Sequence, residues 1–215
     1  MPTATRIIAI RHGETAWNVD TRIQGQLDID LNDTGRWQAQ QAGRALADEA
    51  IDAVYASDLQ RAFNTAQTIA TTAAPHLEVQ AHSGLRERAF GKFEGQTYAA
   101  IEAQWPEEAR LWRTRDPHFA PEGGETPTQV LARVAHTVNE IAARHLGQQI
   151  VLVSHGGVMD MLYRLATQQS VSATRTWDLG NAAINRLLWT PDALTLVGWA
   201  DVRHLDAAGL DEFGA

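Results

Sequence analysis

Two histidines in this chain stand in the same local context. Ile7–Ile10 runs into Arg11-His12-Gly13, and Ile150–Val153 runs into Ser154-His155-Gly156-Gly157. A third basic residue, Arg61, falls in the first turn of the helix expected after "AVYAS" (53–57), where a cation opposes the helix dipole. Short apolar runs between turn signals are buried strands, and in open α/β sheets ligands bind beyond the carboxyl ends of the strands. Arg11, His12, Arg61 and His155 are therefore expected to meet at one sheet edge, beside the helix N-terminus at Gly156-Gly157. Such a group suits a compact dianion, because helix N-termini present free N–H donors and arginine forks match phosphate oxygens. A neutral imidazole can also attack phosphorus and divide phosphoryl transfer into two steps through a phosphohistidine. Neighbouring cations lower its proton affinity and stabilise charge on the transferring group, the part Mg²⁺ plays elsewhere.

The leaving alkoxide still needs a proton. "LRERAFGKFEG" (85–95) offers Glu87 and Glu94 in an otherwise basic, glycine-bearing loop. A carboxyl group beside a bound dianion is favoured in its protonated form and can donate, then recover, that proton. Local reasoning leaves the two glutamates as competitors.

The elements that must position these residues alternate between strand and helix. Strands are expected at 7–10, 53–57 and 150–153. Helices are expected over 33–48, from a Ser57/Gln60 capping box to about Thr72, and from Gly156-Gly157 through Met159, Leu162 and Leu165. A further helix starts at Thr126, with Pro127 in its first turn, Gln129 closing the cap and Val130, Val134, Val138 and Ile141 on one face. "AINRLLW" and "ALTLVGW", joined by Thr190-Pro191-Asp192, read as a hairpin. The fold class is α/β: a three-layer sandwich with a mostly parallel central sheet and helices on both faces. We expect one domain over 1–215, with a small helical cap insertion at about 96–122 and an acidic tail at about 201–215. In the cap, Ile101, Trp105 and Trp112 lie at helical spacing and read as a small core, while Arg110, Arg113 and Arg115 read as solvated. Trp17 reads as packing.

Lys plus Arg total 18 and Asp plus Glu 26, a net charge of −8. That balance argues against a nucleic-acid partner or an anionic membrane surface, which need clustered basic charge. With no cysteine, thiolate metal sites and disulfides are excluded. "MPTATR" leads into only four apolar residues, too few for a signal peptide or membrane span, so a cytoplasmic location is expected. No internal repeat occurs.

Six motifs, "RHGETAWN", "RIQGQLD", "SDLQRAFNTA", "LRERAFGKFEG", "PEGGET" and "VSHGG", follow the order of the histidine phosphatase superfamily, the phosphoglycerate-mutase-like proteins. The chain resembles that family from residue 6 to about 160, and "RHLDAAGLDE" near the end is similar to some of its members. The resemblance implies a nucleophile at His12, phosphate-binding Arg11, Arg61 and His155, and a proton donor at Glu87 rather than Glu94. It also implies a substrate-binding ring of Asn18, Gln24, Gly25 and the Gly156 backbone, with no metal and no cofactor. Glu94 is then a surface carboxylate. Cofactor-dependent mutases resemble "ERHYGALQG" where this chain has "ERAFGKFEG", and they carry a long insertion with paired arginines. Only about 28 residues separate Gly95 from Gly124 here, so hydrolysis is favoured over isomerisation.

The expectation is a metal-independent phosphomonoester hydrolase acting on a small phosphorylated metabolite. The alternatives are a phosphoglycerate mutase and a non-catalytic phospholigand-binding module; monomer and dimer both stay open. A histidine metal site is disfavoured because no H-x-x-x-H or H-E-x-x-H pair occurs. A serine esterase lacks its G-x-S-x-G elbow, and a nucleotide-binding loop of the G-x-x-x-x-G-K-[ST] type is absent. His76, His82, His118, His136, His145 and His204 read as surface or satisfied core residues.

Overall fold

The computed structural model describes residues 3–206. Six strands form one sheet: β1 (Thr5–Arg11), β2 (Ala53–Ala56), β3 (Val79–Ala81), β4 (Gln149–Ser154), β5 (Ile184–Thr190) and β6 (Ala193–Asp201). Their order across the sheet is β3-β2-β4-β1-β5-β6. The first four strands in that order run parallel, and the β5–β6 hairpin adds on antiparallel at the β1 side. The sheet is α/β as expected, with β3 an extra short edge strand that three residues of sequence do not announce.

Helices cover both faces because alternate residues of each central strand point opposite ways. Ile7, Ala9, Tyr55, Ile150 and Leu152 pack against α6 (Pro127–Ala143) and α7 (Gly156–Thr167). Ile8, Ile10, Val54, Val151 and Val153 pack against α2 (Asp33–Ala45) and α3 (Gln60–Ala73). A one-turn α1 (Ala16–Val19) follows β1, and a one-turn α8 (Arg203–Asp206) follows the hairpin. The tail beyond Asp206 lies outside the described residues.

Helices α4 (Tyr98–Gln104) and α5 (Pro106–Arg113) make the cap. Ile101 and Phe93 are fully buried there, among Trp105, Trp112, Phe90 and Phe119, so the expected small core exists. The start of α6 is also as read, with a reciprocal Thr126/Gln129 capping box.

The start of α3 differs from its sequence reading. Ser57 Oγ accepts a hydrogen bond from the Leu59 N–H, making a local turn instead of a helix cap. The cap comes from Asp28, distant in sequence, whose Oδ1 accepts from the Gln60 N–H at 2.7 Å and whose Oδ2 takes the Gln60 side chain at 3.1 Å. A capping box is a local rule, and here a tertiary carboxylate supplied the better acceptor. The same contact ties the 22–28 loop to the helix that carries Arg61. Asp28→Ala should cost about 1 kcal/mol, the usual value of a lost N-cap, and lower Tm by ~3 °C in thermal denaturation. An unchanged Tm would show that Asp28 does not cap α3.

Candidate active site

The β1–β4 register sets the site. Arg11 faces Ser154 across the ladder, and the His12 N–H extends it by donating to the Ser154 carbonyl at 2.9 Å. His12 and His155 therefore leave adjacent parallel strands side by side, with ring centroids 5.2 Å apart. Next along the sheet, the Ser57 N–H donates to Val153 O, which brings the start of α3 and Arg61 to the same end. Thr65, one turn into α3, accepts from the Gly13 N–H at 3.1 Å and fixes the loop below His12.

Both histidines are almost wholly buried, and so is Arg61. His12 Nδ1 lies 2.7 Å from the Gly13 carbonyl, which can only accept, so the ring proton resides on Nδ1 and Nε2 keeps its lone pair. Burial holds His12 well below the ordinary histidine range, reinforced by Arg61 and Arg11 and opposed by the Gly13 hydrogen bond. Burial does the same to His155, helped by Arg61, His12 and Arg11. Burial also lowers Arg61, to about 10, so it stays charged at neutral pH. Its Nη atoms donate to the carbonyls of Leu27 at 2.8 Å and Gly25 at 2.7 Å, and Arg11 donates to the Leu179 carbonyl. Several polar nitrogens have no partner among the described residues: Nε of Arg11, Nε of Arg61 and both ring nitrogens of His155. Buried donors without acceptors are costly, and the Nε–H groups of Arg11 and Arg61 with the one N–H of neutral His155 mark a place for an anion.

Glu87 sits opposite. Its Oε2 accepts from the Gly157 N–H at 3.0 Å and its Oε1 from the Arg88 N–H at 2.7 Å. A Cβ at position 157 would collide with Glu87 Oε1, so glycine is what lets the carboxylate reach the start of α7. The Glu87 loop is held from behind by Arg133 of α6, which donates to the Gly84 and Arg86 carbonyls and pairs with Glu125 at 2.8 Å. Ser154 Oγ adds a 2.6 Å bond to Leu85 O.

Arg11, His12, Asn18, Gln24, Gly25, Arg61, Glu87 and Gly156 all line one cavity of about 710 Å³, and His155 is buried beside His12. The Asn18 amide has a fixed sense, because its Oδ1 faces Thr15 N, Thr15 Oγ1 and Asn181 Nδ2 at 3.0, 3.1 and 3.4 Å. Its NH₂ group is left for the cavity. Glu94 departs from its reading as a surface carboxylate. It is half-buried, and its Oε1 accepts from the Gln26 and Phe90 N–H groups at 3.1 and 2.9 Å, bracing the Gly25 turn. Two backbone donors outcompeted water for it.

The cap residues divide. Trp112, Arg113 and Arg115 line the cavity, as does Trp17, whereas Arg110 pairs with Glu107 outside it and Trp105 packs on Phe93. Tyr98, Asp160, Arg175 and Asn181 were missed by the sequence reading. Asp160 alone had a local signal, a carboxylate among the apolar residues of α7 four positions before Arg164. Among the described residues, no three His, Asp or Glu side chains cluster as a metal site would require.

With this geometry in hand, comparison with known proteins assigns the family. The chain belongs to the histidine phosphatase superfamily (branch 1), whose model matches residues 7–202. It is 39% identical over 211 residues to phosphoglycerate mutase-like protein 4 of Arabidopsis thaliana, covering 97% of this chain and 90% of that one. It is 35% identical over 213 residues to a metal-independent phosphoserine phosphatase of the same plant, covering 98% and 87%. The solved structure of a mycobacterial glucosyl-3-phosphoglycerate phosphatase complexed with VO₃ superposes with a TM-score of 0.80 at 34% identity, covering 91% and 98%. The protein is thus a phosphatase-type, phosphoglycerate-mutase-like enzyme. No described helix is long and apolar enough to cross a membrane.

Two buried neutral histidines carry a pH signature. Their proton affinities are lowered in the folded protein, whereas unfolded histidine titrates near 6.5. Above that pH both states are neutral and nothing is lost. Below it the unfolded chain binds protons that the folded one refuses, so stability falls by about 1.4 kcal/mol per pH unit for each group. Urea unfolding between pH 7.5 and 5.5 should show a shallower fall in His155→Gln than in the parent; equal slopes would contradict the neutral assignment.

Proposed function

We propose that this enzyme hydrolyses small phosphomonoesters without a metal, through a phosphohistidine at His12. The observation that carries the reading is the tautomer of His12: with Nδ1–H bound to Gly13 O, a neutral Nε2 lone pair faces the cavity beside the guanidinium groups of half-buried Arg11 and buried Arg61. Relatives that act on phosphoserine and glucosyl-3-phosphoglycerate support a small phosphorylated metabolite as substrate.

In this scheme the ester's phosphate enters against Arg11, Arg61, His155 and the Asn18 amide, whose unpartnered nitrogens receive its oxygens. His12 Nε2 attacks phosphorus as the P–O bond to the leaving alcohol breaks, and the Glu87 carboxyl delivers a proton to that oxygen. Water then attacks the phosphorus of the phosphohistidine, Glu87 takes its proton, and the P–N bond breaks to release phosphate and neutral His12. Charge on the equatorial oxygens is met by donors already in place, so little reorganisation is needed.

The test is phosphate release from a panel of esters in the presence of EDTA. His12→Ala should abolish it. Arg61→Ala should lower kcat/KM by roughly two orders of magnitude, about 3 kcal/mol. Glu87→Gln should cost roughly 10² to 10⁴ for alkyl phosphates and much less for p-nitrophenyl phosphate, whose leaving group needs little protonation. Wild-type turnover by His12→Ala, or an equal loss on both leaving groups in Glu87→Gln, would count against the scheme. The relative called phosphoglycerate mutase-like keeps a second reading in view. Rapid isomerisation of 3-phosphoglycerate with a trace of bisphosphate, and no phosphate release, would favour it.

A further inference from the structure

The His12–Gly13 peptide follows directly on β1 and carries the nucleophile. Position 13 has no room for a side chain, because a Cβ there would meet the Gly35 carbonyl oxygen at 2.3 Å. Glycine leaves the peptides on either side of it freer to rotate than any other residue would. Yet the aim of His12 Nε2 depends on that rotation, since the Nδ1–H that fixes the ring is bound to the Gly13 carbonyl. Side chains from elsewhere in the fold hold the plane at both polar ends. The Gly13 N–H donates to Thr65 Oγ1 at 3.1 Å, and the buried Thr65 hydroxyl donates in turn to the Arg61 carbonyl at 2.7 Å. At the other end, Asn181 Nδ2 donates to the His12 carbonyl at 2.9 Å. A carbonyl only accepts, so the Asn181 amide has one sense, and the same nitrogen lies 3.4 Å from Asn18 Oδ1.

The antiparallel ladder between β1 and β5 ends at the Ile10–Ile184 pair, and beyond it the Ala182 N–H takes the Arg11 carbonyl at 3.0 Å. The Asn181 side chain extends that row by one more carbonyl, standing in for a backbone N–H. Ala182, which follows it, is wholly buried with φ of +55°, a left-handed conformation that L side chains adopt only at a cost. Such outliers persist where the surroundings over-determine them. Here the N–H is bound to Arg11, and the Ala182 carbonyl accepts from His204 Nε2 of α8 at 3.1 Å. The described lining of the cavity does not include Asn181, so its influence on a bound ester passes through the groups it touches.

We infer that Asn181 is a positioning residue: with Thr65 it clamps the two ends of the His12–Gly13 peptide plane, and so sets the tautomer and the aim of the attacking imidazole. The inference rests on His12 as the nucleophile and deepens that reading. Asn18 keeps its bonds to Thr15 N and Thr15 Oγ1 without Asn181, and Arg11, Arg61 and His155 are the other groups that face the anion. Release of the clamp therefore disturbs the approach of Nε2 to phosphorus and spares anion binding, which is a loss in kcat rather than in KM.

A double-mutant cycle on p-nitrophenyl phosphate hydrolysis tests this, with Asn181→Leu, Thr65→Val and both together. The imidazole nitrogen NMR spectrum of each protein is recorded beside it, His12 being assigned by its loss in His12→Ala. Each single change should lower kcat about tenfold, while KM and the inhibition constant of inorganic phosphate stay within about twofold. Either change releases the same peptide plane, so the double variant should fall only about as far as the worse single one. The His12 signal should pass from the Nδ1–H tautomer toward a mixture of the two. Multiplied losses of roughly a hundredfold in the double variant, a loss carried by KM, or an unchanged His12 tautomer would overturn the inference. Should Asn181→Leu fail to fold, Asn181→Ala takes its place in the cycle with the same outcomes. Phosphate release by the unaltered protein is read separately. Its absence from every ester would sink the hydrolase reading, and the His12 tautomer would still decide the clamp.

Discussion

Four basic side chains gathered around one point, three of them buried, is the constraint from which the rest of this molecule follows. Arg11, His12, Arg61 and His155 lie at the carboxyl ends of neighbouring strands, where mutual repulsion and lost hydration both work against them. The fold makes the arrangement tolerable in two ways. The imidazoles are kept neutral, and the guanidinium groups hand several of their protons to carbonyls of Gly25, Leu27 and Leu179. What remains unsatisfied is a set of nitrogens that a tetrahedral dianion can satisfy together. A site organised this way carries its reorganisation cost in the folded protein rather than in the reaction.

The supporting contacts come from every layer. Asp28 ties the Gly25 loop to α3, and Glu94 braces the same loop from the other side. Arg133 and Glu125 hold the Glu87 loop, and Asn181 donates to the His12 carbonyl at 2.9 Å while steadying the Asn18 amide. The cavity is thus walled on one side by residues at the ends of the rigid sheet and on the other by the short cap and the 168–183 connection, different pieces of chain.

Much of this was legible in the sequence because the informative features are local. Apolar runs followed by Arg-His-Gly and Ser-His-Gly mark strand ends, and the Thr126-Pro127-Gln129 start of α6 is a self-contained cap. The family resemblance then chose Glu87 over Glu94, which no local rule could do. Features made by contacts across the chain were not legible. Asp28 capping α3, Glu94 bonded to the Gln26 amide, and Arg133 bridging three carbonyls each depend on segments tens of residues apart. Arg175 and Asn181 sit in a connection with no periodicity to read, and only closure of the sheet by the antiparallel hairpin brings them to the site.

The central claim is that one tetrahedral anion is received by these four groups and bonded by one of them. A crystal structure with orthovanadate tests it most directly. The account predicts a trigonal-bipyramidal vanadium joined to His12 Nε2, with equatorial oxygens on Arg11, Arg61 and His155 and the outer apical oxygen beside Glu87. Vanadate held without a bond to His12, or bound away from the arginines, would contradict it.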